Sequence, residues 1–289
     1  MQIESGSCWS AVIVSAPVRE SLHVEPEFKK LLPFINQRHP FESVSEFFGF
    51  KLGKDQRRRA KVVRKLLDDP DGGTVAVYFK LYGYRRLKRA LSRVFKPTRS
   101  KSEFANLKFF HELGIPACQP ILQGEYRNVF GIARNCMIIT EEVTGTTQLD
   151  HFIKKLEAGD DPEDVKKAIR RQIIESIAEN TRKIHDHRFF HDDLKWRNVL
   201  VRRVGERGEK VEVFWIDCPN GYFDKTGGIR GKHGRIKDLA TLDHLGWRMC
   251  PLEERMYFLS CYSGLALDDP ALAELGEEVV EYRKRKLDD

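Results

Sequence analysis

Asp193, Asn198 and Asp217 are the residues of this chain best placed by type and spacing to do chemistry. The first two belong to His191-Asp192-Asp193-Leu194-Lys195-Trp196-Arg197-Asn198, which runs straight into the apolar Val199-Leu200-Val201. The third closes Phe214-Trp215-Ile216-Asp217, a second apolar run after a charged, hairpin-like insert. The pattern reads as a functional loop between two strands. Phosphoryl transfer from a nucleotide asks little covalent chemistry of a protein. It needs a carboxylate to orient the attacking hydroxyl and oxygen ligands to hold magnesium on the phosphates, and these three side chains are such a set.

The elements that must position them are legible around the loop. Residues 148–157 suggest a short helix and 162–187 a long one, started by Asp161-Pro162-Glu163-Asp164, whose carboxylates favour a helix N-terminus. Ile169, Ile173, Ile174, Ile177, Thr181 and Ile184 form its apolar stripe, and it delivers the chain to the loop. After Asp217 come Cys218-Pro219-Asn220-Gly221 and a glycine-rich stretch with Lys225, Arg230, Lys232, His233, Arg235 and Lys237. Either its cations suit an acidic small substrate or it is a solvated glycine loop. The final fifty residues read as packing helices.

Earlier in the chain, residues 62–67 and 74–81 are apolar and β-branched around Asp69-Pro70-Asp71-Gly72-Gly73, which predicts a β-hairpin. Residues 100–113 predict a helix stopped by Gly114-Ile115-Pro116. Ile121–Gln123, Val129–Ala133 and Cys136–Thr140 are expected to be further strands. Residues 1–44, punctuated by Pro17, Pro26, Pro33 and Pro40, suggest a strand or two and a short helix. Between Tyr84 and Lys96, Leu87, Ala90, Leu91, Val94 and Phe95 fall on one face of a helix, with a cationic opposite face. Residues 85–101 hold eight Lys or Arg and no acid, so this segment carries all of the chain's net +7. Such a helix can lie on an anionic membrane, with Arg85, Arg86, Lys88, Arg89 and Arg93 as contacts, or pack on the protein. Arg230, Lys232 and Arg235 are the other candidates for a membrane or acidic substrate.

The wording FFHDDLKWRNVLV, then WIDCPNG, then GRIKDLATLDHL resembles the lipopolysaccharide core kinases, the Kdo and heptose kinase family of the protein-kinase-like superfamily. The resemblance covers roughly residues 45–250 and implies an α+β bilobal fold. Its first lobe, residues 1–143, would be an antiparallel sheet plus a helix; its second, 144–289, would be mostly helical. It implies Asp193 as the base, Lys195 on the transferred phosphate, and Asn198 and Asp217 as magnesium ligands. Val75-Ala76-Val77-Tyr78-Phe79-Lys80 matches the strand whose lysine pairs with nucleotide phosphates, and Glu103 would be that lysine's partner. In Met137–Gly145, which resembles the hinge, Thr140 would lie behind the adenine, and backbone groups of Glu141 and Val143 would meet its edge. His191 would pack and hydrogen-bond within the loop, and Asp238 would support the loop backbone.

The chain departs from the protein-kinase pattern in three places. Only Gly49 and Gly53, followed by Arg57, Arg58, Arg59 and Lys61, stand where a glycine-rich loop is expected. Asp192 replaces the arginine that reads a phosphorylated activation loop, and Cys218-Pro219 replaces Phe-Gly. The 21 residues from Asp217 to Asp238 leave little room for a peptide platform.

Charged residues are 32% of the chain, against an average of about 25%. The six cysteines show no C-x-x-C pair, which argues against a disulfide frame or zinc site; His185, His187 and His191 lack the companions of a metal set. Glu4, with no basic residue before the short apolar run Trp9–Val14, fits neither a signal peptide nor a membrane span. The expectation is a cytoplasmic kinase, at the inner membrane's cytoplasmic face. It would use ATP and Mg2+ to phosphorylate a heptose or Kdo hydroxyl of the lipopolysaccharide core, and would have no nucleic-acid partner. The rivals are a small-molecule kinase of the aminoglycoside or choline kinase type and a non-catalytic pseudokinase.

Overall fold

The computed structural model describes residues 9–15, 18–31, 40–50, 60–69, 72–84, 93–94, 96–206, 208–225 and 228–288. The chain forms two compact units, one of residues 1–108 and 118–142 and one of residues 109–117 and 143–289.

The first unit is built on a six-stranded antiparallel sheet. In chain order it contains β1 (Trp9–Ser15), β2 (Val18–Val24), α1 (Pro40–Phe47), β3 (Ala60–Asp68), β4 (Thr74–Gly83), α2 (Arg99–Glu112), β5 (Pro120–Asn128) and β6 (Ala133–Glu141). The strand order is β1-β2-β5-β6-β4-β3. The β3–β4 hairpin turns through Gly72 and Gly73, both in the left-handed region that glycine enters without steric cost. Its register sets Val62 opposite Lys80. The hydrophobic core takes Val77, Phe79 and Leu81 from alternate positions of β4, with Phe41, Val44 and Phe48 from α1 and its exit. Phe48 stacks on Phe79 with ring centroids 4.4 Å apart.

The three runs expected between residues 121 and 140 are two strands. Residues 129–132 form the turn between them, because Asn128 Oδ1 accepts from Phe130 N (3.1 Å) and Ile132 N (2.9 Å), and Gly131 takes φ +73°. Apolar Val129 and Phe130 hid the turn. The helix expected from Tyr84 to Lys96 is also corrected where it can be seen. Residues 93–94 and 96–98 are turn and coil, with Arg93 Nη1 donating to Pro97 O at 2.6 Å. Residues 85–92, with Arg85, Arg86, Lys88 and Arg89, and residues 51–59, with Gly53 and Arg57–Arg59, lie outside the described residues.

The second unit contains β7 (Thr147–Gln148), α3 (Leu149–Ala158), α4 (Glu163–Asp186), β8 (Phe189–Phe190), β9 (Val199–Val204), β10 (Lys210–Trp215), β11 (Tyr222–Phe223), α5 (Ile229–Met249), α6 (Leu252–Ser263) and α7 (Pro270–Lys286). Ile169, Ile173, Ile177, Thr181 and Ile184 of α4 are buried, while Ile174 is only partly so. Ala178 of α4, Leu239 of α5, Leu259 of α6 and Leu272 and Val279 of α7 share one core. These helices also line an apolar cavity of about 530 Å³.

The glycine-rich stretch, for which a solvated loop is one of two readings, becomes helix from Ile229 onward. Its glycines are there for close packing. A Cβ on Gly231 would lie 2.8 Å from Asp224 Oδ2, and one on Gly234 would lie 2.6 Å from Phe190 Cγ. Gly234→Ala is therefore expected to destabilise the protein by about 1–3 kcal/mol despite alanine's better helix propensity. A urea denaturation midpoint no lower than the parent's would show that the contact yields.

Candidate active site

In the second unit the antiparallel β9–β10 hairpin pairs Val199 with Trp215, and Ile216 N donates to Asn198 O at 2.9 Å. Asn198 and Asp217, each one residue beyond a regular strand or ladder position, thus come to the same end of the hairpin. Asp217 is held at φ +62°, a left-handed conformation that a non-glycine residue adopts at a cost of about 1–3 kcal/mol. Such strain is retained where the surrounding structure over-determines it.

The loop before Asn198 is equally constrained. Asp192 has φ +67°. The fully buried carboxylate of Asp238 accepts from His191 N at 2.7 Å through Oδ2 and from Asp192 N at 2.8 Å through Oδ1. The same Oδ2 lies 3.3 Å from His185 Nε2, and His185 Nδ1 lies 2.8 Å from the Tyr262 hydroxyl. From the other side, Lys237 Nζ donates to Asp192 Oδ1 at 2.5 Å. Burial opposes a charged Lys237, but the Asp192 carboxylate outweighs it and raises the ammonium's pKa.

The clamp leaves Asp193 with its side chain a quarter exposed. Lys195 Nζ is 2.6 Å from Asp193 Oδ1, and Arg197 Nη2 is 3.8 Å from Oδ2. Asn198 is buried and donates through Nδ2 to Asp193 O at 2.8 Å, which fixes the side of its amide on which Oδ1 projects. His191 is fully buried, with Phe110 stacked on it at 6.0 Å and Trp215 at 5.8 Å. Burial lowers its pKa, and the nearby carboxylates of Asp238, Asp193 and Asp217 only partly oppose this. The ring is therefore the neutral centre around which three acids gather. It packs rather than hydrogen-bonds, since neither ring nitrogen has a partner among the described residues. No group of three or more His, Cys, Asp or Glu suited to a metal occurs among the described residues.

In the first unit Lys80 Nζ lies 2.8 Å from Glu103 Oε1, and the Tyr82 hydroxyl donates to Glu103 Oε2 at 2.6 Å. Glu103 is fully buried and the lysine side chain is 13% exposed. Two donors on one buried carboxylate fix where the lysine sits. Thr140 is buried on β6, opposite Tyr78 of β4. The Glu141 N–H is committed to Gln119 O at 2.8 Å. In the second unit Val143 O accepts from Thr146 Oγ1 at 2.6 Å.

Three other sequence candidates lie on α5. Lys232 pairs with Glu278 at 2.6 Å, Arg235 is exposed on α5, and the Arg230 side chain is not among those described. Two participants, Tyr82 and Arg197, were missed, and Lys237 was named only as a substrate cation. Tyr82 lies two residues after Lys80, on the same face of the strand; Arg197 lies four residues after Asp193; Lys237 adjoins Asp238. Each gave a spacing signal without a motif to name it. Several charged side chains at or beside the apolar cavity are paired with one another. Asp243 holds Arg255 at 2.6 Å and Arg283 at 2.7 Å, and Arg170 holds Glu254 at 2.5 Å.

The model of the lipopolysaccharide kinase (Kdo/WaaP) family matches residues 55–248, about two thirds of the chain, and includes every loop and hairpin residue described above. The chain belongs to the lipopolysaccharide kinase family. A kinase of this family is a phosphotransferase, and its fold is protein-kinase-like. A solved structure described as WaaP in complex with acyl carrier protein is similar over 90% of this kinase and 98% of that chain, with 21% identity and a TM-score of 0.63. The Rio2 kinase-ADP/Mg2+-phosphoaspartate complex from Chaetomium thermophilum aligns over 87% of this kinase and 76% of that chain, at 13% identity and a TM-score of 0.43. No curated protein sequence matches the kinase.

Proposed function

We propose that the protein transfers the γ-phosphoryl group of ATP, with Mg2+, to a hydroxyl of a heptose or Kdo sugar in the lipopolysaccharide inner core, at the cytoplasmic face of the inner membrane. Family membership supports the reaction class. The observation that carries the site is Asp193, a quarter-exposed carboxylate held on a clamped loop and 2.6 Å from a lysine ammonium. In this reading Asp193 orients the acceptor hydroxyl and takes its proton. Lys195 offsets charge on the moving phosphoryl group, and Lys80, fixed by Glu103, meets the nucleotide phosphates. Thr140, Glu141 and Val143 contact the adenine.

Asn198 and Asp217 fit magnesium, since both offer oxygen, and this ion favours one or two protein ligands completed by phosphates and water. When bound it would draw charge from the phosphates. The likeness to a chain solved with acyl carrier protein adds a carrier protein as a partner to look for by co-purification.

The deciding experiment supplies labelled ATP and Mg2+ with core oligosaccharide, and locates the new phosphate by mass spectrometry. Phosphate on heptose or Kdo, lost when magnesium is chelated, is the expected result. Transfer to an aminoglycoside or choline but not to core sugar would replace the acceptor. ATP binding without turnover would make the protein a pseudokinase.

A further inference from the structure

We propose that the β5–β6 turn, with Val94 beside it, is a docking tip for an anionic lipid surface. Phe130 is 79% exposed, Val129 45% and Val94 39%. A single exposed apolar side chain needs no explanation. Three at one place, on a rigid support, with cations around them, are a surface of a particular kind.

The support is a locked turn. Asn128 caps it through Oδ1, Asn128 N donates to Ile132 O at 3.0 Å, and Gly131 N donates to Asn128 O at 2.9 Å. Arg127 Nη1 ties the neighbouring segment to it, donating to Gly131 O at 2.9 Å and to Arg93 O at 3.0 Å. Val94 and Phe130 are thereby held at the same end of the sheet.

That end is also where the most cationic stretch of the chain leaves and returns. Tyr84 N donates to Arg134 O at 2.9 Å as β4 ends, and the Tyr84 hydroxyl accepts from Arg99 N at 2.8 Å as α2 begins. Ser100 N donates to Cys136 Sγ at 3.4 Å. Arg93 and Arg99 are thus tied to the sheet end that carries the turn. Among the described residues Lys96, Lys101 and Arg134 are exposed. Glu125 does not offset them. It is buried and, although burial opposes its charge, Arg127 and Thr98 hydrogen-bond it and hold its pKa below the usual carboxylate value.

Exposed apolar tips and exposed cations at one end of the sheet match the two layers of an anionic bilayer, whose headgroups attract the charge while the acyl boundary takes up the side chains. The inference rests on the functional reading for the reason a membrane is met, but the surface stands on its own geometry.

The test uses the full chain with vesicles of phosphatidylcholine, with and without phosphatidylglycerol. Binding is expected only with phosphatidylglycerol, to fall with added salt, and to weaken about tenfold in Phe130→Ser, roughly half the effect of burying a phenylalanine. In Phe130→Trp, vesicles with brominated acyl chains are expected to quench more emission than they do from the parent. Absence of binding, equal binding by Phe130→Ser, or no added quenching would each overturn the proposal. So would a lowered melting temperature in Phe130→Ser, which would mark Phe130 as a packing residue. Transfer to soluble oligosaccharide, expected to be unchanged in Phe130→Ser, separates the two readings. If the parent binds vesicles but transfers nothing, the reaction is lost and the docking surface stands.

Discussion

Asp193→Ala is expected to lower phosphate transfer by about a thousandfold, within the range set by removal of a general base. The fold should survive the change. The side chain is a quarter exposed, and its two cationic neighbours, Lys195 and Arg197, are 41% and 62% exposed, so truncation leaves no buried group unpaired. The loss should appear in kcat, with KM for ATP little changed, because the proposed role is toward the acceptor hydroxyl. Asp193→Asn should fall almost as far, since an amide keeps the shape and cannot take the proton. Activity within about tenfold of the parent in Asp193→Asn would remove Asp193 from the role of base.

Asp238→Ala should cost both stability and activity. Its carboxylate is fully buried and answers the N–H groups of His191 and Asp192 together with the His185 ring. Removing it strands these donors away from water, and a hydrogen bond to a charged group is worth about 1.5–3 kcal/mol. A loss of about 3 kcal/mol in urea denaturation is therefore expected, with turnover falling alongside because Asp192, at φ +67°, loses part of what holds its unfavourable backbone. Asp238→Asn should lie between the two, since the amide keeps one acceptor. A stability change within about 0.5 kcal/mol would mean that the loop holds its shape without this clamp.

The elements that the sequence revealed best are those in which periodicity, turn chemistry and a motif coincide. The β3–β4 hairpin was marked by β-branched runs around Asp-Pro-Asp-Gly-Gly, and α4 by its isoleucine stripe and acidic start. Where these signals conflicted, tertiary contacts decided. Val129 and Phe130 look like strand residues, yet the Asn128 side chain makes their segment a turn. Gly231 and Gly234 look like loop residues, but α5 passes so close to Asp224 and Phe190 that no side chain fits there. Arg93 to Thr98 continue an amphipathic pattern that Pro97 cannot continue as helix. Around the candidate site, motif spacing picked out the acids and the lysine. It did not reveal Tyr82, which holds Glu103 from the far side, because a tyrosine in a strand has an ordinary packing use and only the fold shows its hydroxyl at 2.6 Å.

The two cores reach well past the stretch that carries the family signature. Leu22, Val24, Phe41, Val44 and Phe48 precede residue 55, and Leu259, Leu272 and Val279 follow residue 248. A truncated version cut to the signature would expose the edge of β5 that β2 now pairs, an open template for aggregation, and would strip α5 of the helices packed over it. Expression trials should therefore keep both flanks, even though neither holds a residue assigned to the reaction.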